Sequence, residues 1–468
     1  MNWKPLLDGL ADLKAAHIYA VLGFLLGLLL TVRLLRDKEK SSVTFAWLLA
    51  MIFVPWVGVP LYLLLGGRKL HRRARGKPVL LAEEGESPAP EGVSIARLLA
   101  VEGVPQPRHG NSVEWLDDGQ ASWRHLVALI AGARTSLDVS LFIVGRDEVG
   151  GELVRLLAER ARAGVRVRLL VDALGSLRTR GKFLDPLRQA GGRVGVFMPM
   201  LPLRPGRRAN LRNHRKLAVA DGCRAWAGGM NVAHEYLGPD VFKERWIDLA
   251  VGLQGPVVAD LLRVFASDWA FATREVLEPP ADTPRVPGAE AAMQLVPCGP
   301  DVPLDPLSDA LFSLVSQARR RVVIVTPYFV PDDALQRALV LQARMGREVL
   351  VLLPAKSNHG LADVARRPFV RELVAAGARV MLVQNHMVHA KFVLVDDGPL
   401  LLGSANVDLR SLYLNFELGM LVEDPATLAR AEAWLARLQR MSLPADGKPP
   451  GLSGAWLEDG ARLLAPML

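Results

Sequence analysis

One short pattern of residues occurs twice in this chain, and any fold the chain adopts must accommodate both copies. The first reads Asn213-His214-Arg215-Lys216-Leu217-Ala218-Val219-Ala220-Asp221-Gly222 and is followed by Gly228-Gly229-Met230-Asn231. The second reads His389-Ala390-Lys391-Phe392-Val393-Leu394-Val395-Asp396, followed by Gly403-Ser404-Ala405-Asn406. Histidine, lysine, aspartate, glycine and asparagine keep one register. Side chains alternate along a strand, so each histidine shares a face with the lysine two places on, and an imidazole and an ammonium are expected to point at one spot. That pairing is a phosphate site in outline. Asp221 and Asp396, five places beyond their lysines, fall on the opposite face and read as structural acids bonding nearby backbone or basic groups.

The duplication is wider than the motif. Ahead of the first copy the pattern predicts a strand over 137–144, an amphipathic helix over 150–163 and a second strand over 164–172. Ahead of the second it predicts a strand over 321–327, a helix over 332–345 and a strand over 346–354. After each motif an acid stands in an apolar strand, Asp248 in Trp246-Ile247-Asp248-Leu249 and Glu417 in Asn415-Phe416-Glu417-Leu418, and a helix follows. Strand and helix alternate in both parts, which argues for an α/β fold built twice, two repeats packed as a pseudo-dimer. The first half is expected over 94–277 and the second over 291–468, with a proline-rich connector at 278–290 between them.

The N-terminus decides how the charge is read. A net charge of +9 attracts anionic partners, and nucleic acid and an anionic membrane surface both qualify. Residues 15–32 hold no acid, lysine or arginine, and 41–67 hold no charged residue at all, so each approaches or exceeds the ~20 residues that cross a bilayer. Tyr19, Trp47, Trp56 and Tyr62 sit near the ends of these stretches, as aromatic residues do at membrane interfaces. A transmembrane helical hairpin is therefore expected over 1–77, with spans at about 15–35 and 43–66 and a linker at 78–93. The connector 33–40 holds four basic residues against eight on the other side of the spans, a bias that places the large domain in the cytoplasm. The chain reads as a multi-pass protein of the inner (cytoplasmic) membrane. Cys223 and Cys298 make neither a disulfide framework nor a zinc cluster.

A phosphodiester repels nucleophiles and leaves poorly, so cleaving it without a metal takes a nucleophile, a proton donor and cations. Two histidines meeting across a pseudo-twofold supply the first two: one imidazole attacks phosphorus and the other protonates the departing alkoxide. Lys216 and Lys391 are expected to neutralise the equatorial oxygens, with Asn231 and Asn406 donating hydrogen bonds to them. Asp248 and Glu417 are placed to accept a ring N–H and fix the tautomer. A metal site is disfavoured, because a lysine between potential ligands repels a cation.

These residues carry a resemblance. The paired His-x-Lys-x4-Asp with Gly-Gly/Ser-x-Asn resembles the phospholipase D superfamily, and along nearly its whole length the chain is similar to bacterial cardiolipin synthases of the two-span type. Matching pieces include the N-terminal hairpin, Asp172-Ala173-Leu174-Gly175-Ser176, Thr326-Pro327-Tyr328-Phe329-Val330-Pro331-Asp332, and Gly403 to Asp408 continuing to Arg410-Ser411. The resemblance implies a catalytic set of His214, Lys216, Asp221, His389, Lys391 and Asp396, with the first histidine as nucleophile. It implies phosphatidylglycerol as substrate, cardiolipin and glycerol as products, anionic membrane lipids as partners, and neither cofactor nor metal. Leu211, where the family often has an aromatic, and 356–367, which diverges from the usual acidic stretch, are departures; the second bears on the choice of acceptor. A hydrolase, or a transphosphatidylase with another acceptor alcohol, carries the same motifs. A nuclease is disfavoured by the two spans and by the lack of an aromatic-rich basic groove motif.

Overall fold

In the computed structural model the described residues are 94–198, 211–302 and 304–464, with short helical pieces among residues 47–62. The expected hairpin, its basic flanks and the linker lie almost wholly outside the described residues, among which no helix is long and apolar enough to cross a membrane. The chain divides into two compact units, one of 1–69 with 200–210 and one of 70–199 with 211–468. In the first, Met51, Val59 and Tyr62 are buried together, and Trp47 meets Tyr62 edge-on at 5.5 Å. The second holds both motifs.

Its first half contributes β1 (Arg108–Leu116), β2 (Ser136–Leu141), β3 (Arg166–Asp172), β4 (Arg193–Phe197), β5 (Leu217–Ala220), β6 (Arg224–Gly228) and β7 (Ala250–Gln254). The second contributes β8 (Ala291–Cys298), β9 (Arg321–Val325), β10 (Phe329–Val330), β11 (Glu348–Pro354), β12 (Arg379–Val383), β13 (Phe392–Val395), β14 (Leu400–Gly403), β15 (Val407–Asp408), β16 (Glu417–Glu423) and β17 (Ser442–Pro444). Fifteen of these strands form one sheet, in the order β17-β12-β11-β9-β13-β14-β16-β8-β1-β7-β6-β5-β2-β3-β4. Read outward from its centre, β1-β7-β6-β5-β2-β3-β4 and β8-β16-β14-β13-β9-β11-β12 are the same arrangement, so the pseudo-twofold passes between the antiparallel pair β1 and β8.

Local chemistry explains why these segments form as they do. The helices Glu148–Arg162 and Asp333–Arg344 are each opened by an aspartate whose side chain accepts a backbone N–H of the first turn, Asp147 from Gly150 and Asp332 from Leu335. Each buries one stripe, Val149, Leu153, Val154 and Leu157 in the first and Leu335, Ala338, Leu339 and Val340 in the second. Strand β2 is buried along its whole length because helices cover the sheet on both faces. On one face a single core spans both halves, with Phe197 against Phe416 at 4.9 Å and Trp115 against Trp434 at 6.0 Å. On the other face each half has its own core.

One expectation is corrected. The His-x-Lys segments lie just ahead of their strands, which begin at Leu217 and Phe392. Asn213 bridges to Phe416 and Val388 to Ile247, so each segment is held by an isolated bridge to the other half. Asp221 and Asp396, whose spacing predicted structural acids, stand in left-handed turns at φ 52 and φ 53. The Asp221 carboxylate accepts the backbone N–H groups of Arg134, Thr135 and Ser136, and that of Asp396 accepts those of Arg319, Arg320 and Arg321. Both acids tie a hairpin turn to the start of β2 or β9, away from the histidines.

The residue between histidine and lysine differs between copies. Arg215 is fully buried, donates to Asp268 at 2.7 Å, and reaches the carbonyls of Glu417 at 3.0 Å and Cys298 at 3.1 Å in the other half. Its counterpart Ala390 makes no such link. Removing one partner of a buried ion pair leaves an uncompensated charge, so Arg215→Ala should lower unfolding stability by about 3–5 kcal/mol. Denaturant unfolding of wild type and variant measures this, and a loss below about 1 kcal/mol would contradict the role of a bolt between halves.

Candidate active site

The backbone bridges decide how the ionisable groups meet. Phe416 precedes Glu417, and it exchanges hydrogen bonds with Arg212 and His214: His214 donates to its carbonyl at 2.9 Å, and its own N–H donates to that of Arg212 at 2.8 Å. Ile247 precedes Asp248, and its carbonyl accepts from His389 at 2.7 Å. Each acid is thereby delivered to the histidine of the opposite half. Nδ1 of His214 lies 3.0 Å from both carboxylate oxygens of Glu417, and Nδ1 of His389 lies 2.7 Å from Asp248 Oδ2. A neutral ring that donates from Nδ1 keeps the lone pair on Nε2.

The two pairs are not equivalent. Ser404 Oγ donates to Glu417 Oε2 at 2.5 Å and accepts the Leu418 N–H at 2.9 Å, and Asn415 Nδ2 reaches Glu417 Oε1 at 3.3 Å. The matching residue of the first half is Gly229, where even a Cβ would overlap Asp248 Oδ1. Asp248 instead takes the Leu249 N–H at 2.7 Å. The preceding glycines have one reason in both halves: a Cβ at Gly228 or Gly403 would strike the carbonyl oxygen of Leu249 or Leu418.

Lys216 Nζ donates to the carbonyl of its own motif histidine at 2.6 Å, and Lys391 Nζ to that of His389. Lys391 Nζ also lies 2.8 Å from His389 Nδ1. The asparagines, expected to donate to phosphate, are bonded within their own halves. Asn231 Oδ1 accepts the Ile143 N–H at 3.2 Å and its side chain also bonds Tyr236, while the Asn406 side chain bonds Asp408. Four aromatic rings wall the histidines. Phe142 is 4.8 Å from His214, and Tyr236, Trp246 and Tyr328 are 5.1, 5.4 and 6.5 Å from His389. Trp246 and Tyr328 stand in stretches the sequence had already singled out, whereas the only signal for Phe142 was its position directly after β2.

Burial governs the charges. It pushes the His214 imidazole down to about 4, against the pull of Glu417, and it pushes His389 down to about 3, with Lys391 adding to the effect. Both rings are therefore neutral at pH 7. Burial also lowers Lys216 well below its usual value and Lys391 to about 8. Glu417 is raised by burial, but His214 and Lys216 outweigh this and leave it below the carboxylate range; Lys391 and His389 do the same for Asp248. Two lysines and two carboxylates thus surround two neutral imidazoles, a set that can take in an anion, attack it from one nitrogen and move a proton at another.

The chain matches the family described as cardiolipin synthase, phospholipase D-like domain, at residues 126–269 and 311–439, one match per half. A phospholipase D-nuclease N-terminal family matches at 25–67. The chain is 33% identical to the major cardiolipin synthase of Bacillus subtilis over 88% of its own length and 90% of that protein. It is 34% identical to cardiolipin synthase A of Pseudomonas entomophila, over 88% and 89%. Among solved structures, the phosphatidylserine synthase of Haemophilus influenzae aligns with a TM-score of 0.61 at 16% identity, covering 79% of this chain and 99% of that one.

The charge balance can be tested without turnover. Lys391 is cationic below pH about 8 and discharged above it, whereas free lysine holds its proton to 10.5. Sulfate keeps its charge across this range, so its affinity for the detergent-solubilised protein should weaken about tenfold per pH unit above that point. Calorimetric titration at pH 7 to 9.5 reads the slope. A flat affinity would show that Lys391 does not hold the anion.

Proposed function

The chain belongs to the cardiolipin synthase family of phospholipase D-like proteins, and on that footing we propose that it transfers the phosphatidyl group of one phosphatidylglycerol to a hydroxyl of a second, giving cardiolipin and glycerol. The observation that carries the mechanism is the crossed pairing of His214 with Glu417 and His389 with Asp248. Nε2 of His214 attacks phosphorus, a P–N bond forms, and the bond to the glycerol oxygen breaks as His389 gives that oxygen its proton. His389 then removes a proton from the acceptor hydroxyl, whose oxygen attacks phosphorus and releases His214. Atoms and protons balance over the two steps. The doubly held Glu417 supports His214 as nucleophile, because a fixed carboxylate orients the ring and stabilises the charge that attack places on it.

Protonation of His389 is opposed in the resting site by burial and by Lys391. A phosphodiester monoanion entering between the two lysines reverses that balance and favours an imidazolium, so the acid forms where substrate binds. Lys216 and Lys391 supply the positive charge that a divalent ion supplies in other phosphodiester chemistry. Transfer prevails over hydrolysis when the acceptor is held in line, where effective molarities on the order of 10⁵ M become available. The apolar stretches at 15–35 and 43–66 support a two-span anchor that holds the domain at the leaflet where both lipids reside, and the basic-residue bias supports its placement on the cytoplasmic side.

Membranes containing the protein and fed labelled phosphatidylglycerol should yield cardiolipin and free glycerol; phosphatidic acid as the sole product would favour the hydrolase. His214→Ala and His389→Ala should each lower turnover by about 10²–10⁴ or more. Label trapped on His389→Ala protein should sit on His214, and label on His389 of the His214→Ala protein would exchange the two roles. A reporter enzyme fused after Leu468 that is active only in the periplasm would refute the cytoplasmic placement.

A further inference from the structure

The two sides of the site differ in kind. Beside His214 stands a phenyl ring, Phe142. Near His389, with ring centroids 6.5 Å apart, stands a phenol, and the Tyr328 hydroxyl donates to Asn358 Oδ1 at 2.7 Å. The same ring meets His359 edge-on at 5.3 Å. Burial raises the Tyr328 phenol above its ordinary range, so it stays a neutral hydroxyl.

Asn358 and His359 are exposed, yet the loop that carries them is tied down. The Ser357 N–H donates to Asp363 at 2.9 Å, and Ser357 Oγ donates to the His359 carbonyl at 3.1 Å. Arg366 holds Asp363 at 3.2 Å and the Ala355 carbonyl at 3.1 Å. Rigid polar groups at a solvent-facing rim cost little to organise when a ligand arrives. Here they comprise a phenol oxygen with its lone pairs, an amide NH₂ and an imidazole, the complement of a molecule with several hydroxyls.

The proposed chemistry says which molecule reaches this side. If His389 protonates the leaving oxygen, glycerol departs past Tyr328, and by the same route reversed the acceptor hydroxyl arrives there. We propose that Tyr328, Asn358 and His359 form a polyol subsite that binds the neighbouring hydroxyls of a glycerol headgroup and presents one of them to His389. This rests on the transferase reading above and on His389 as its acid and base. A site built to hydrogen-bond a hydroxyl discriminates strongly against an analogue that lacks it, so the subsite would select glycerol-type acceptors over simple alcohols.

The test reads a choice made after the phosphohistidine has formed. Full-length protein in detergent micelles is given a short-chain phosphatidyl-p-nitrophenol as donor, with glycerol and ethanol competing as acceptors. The ratio of phosphatidylglycerol to phosphatidylethanol does not depend on how fast nitrophenol leaves, so a variant that is merely slow keeps it. Wild type should favour glycerol, and Tyr328→Phe and Asn358→Ala should each lower that preference about fivefold or more, the worth of one hydrogen bond. An unchanged ratio in both variants, or no preference in wild type, overturns the subsite. Wild type that yields only phosphatidic acid with either alcohol overturns the transferase reading, a distinct result.

Discussion

Everything at the centre of this molecule depends on two carboxylates reaching across the pseudo-twofold. Asp248 and Glu417 each lie beside a histidine of the other half, because the residue before each acid is hydrogen-bonded to the opposite motif segment. Neither half owns a complete imidazole–carboxylate pair. The continuous sheet, the core common to both halves on one face and the Arg215 link across the boundary keep that crossing in register. Backbone pairing sets the position and packing holds it, so the side chains need only short reaches to meet.

The same burial that holds the groups makes them chemically useful. Taking two lysines, two acids and two histidines out of water costs several kcal/mol per ion, and the carboxylates beside the lysines offset part of it. The imidazoles absorb what remains by staying neutral. A neutral imidazole is a nucleophile, and a bound phosphodiester supplies the missing negative charge that lets another become an acid. The stability problem and the catalytic device have one solution.

Much of this was legible in the residue order where the physics is local. The helices Glu148–Arg162 and Asp333–Arg344 follow from apolar stripes and aspartate caps, and the repeat architecture follows from a shared register of histidine, lysine and glycine. The acids Asp248 and Glu417 could be picked out, but their crossing could not, since it is fixed by strands far apart in sequence. Ser404 and Gly229 look interchangeable as small residues, and only contact with the acids separates them. Placing His-x-Lys within a strand failed because the apolar run beginning at Leu217 continues the alternation that the motif only precedes. Phe142 was hidden for a similar reason, as a ring residue beside an apolar strand resembles core until its neighbours are known.

The crossing also has a meaning in time. While the chain is being made, His214 emerges more than two hundred residues ahead of Glu417, its acid, and Asp248 waits for His389. A nascent or truncated chain that has folded its first half alone holds a histidine, a lysine and an acid that do not form a working set. The two histidine–carboxylate pairs are complete only once the strands of both halves have come together.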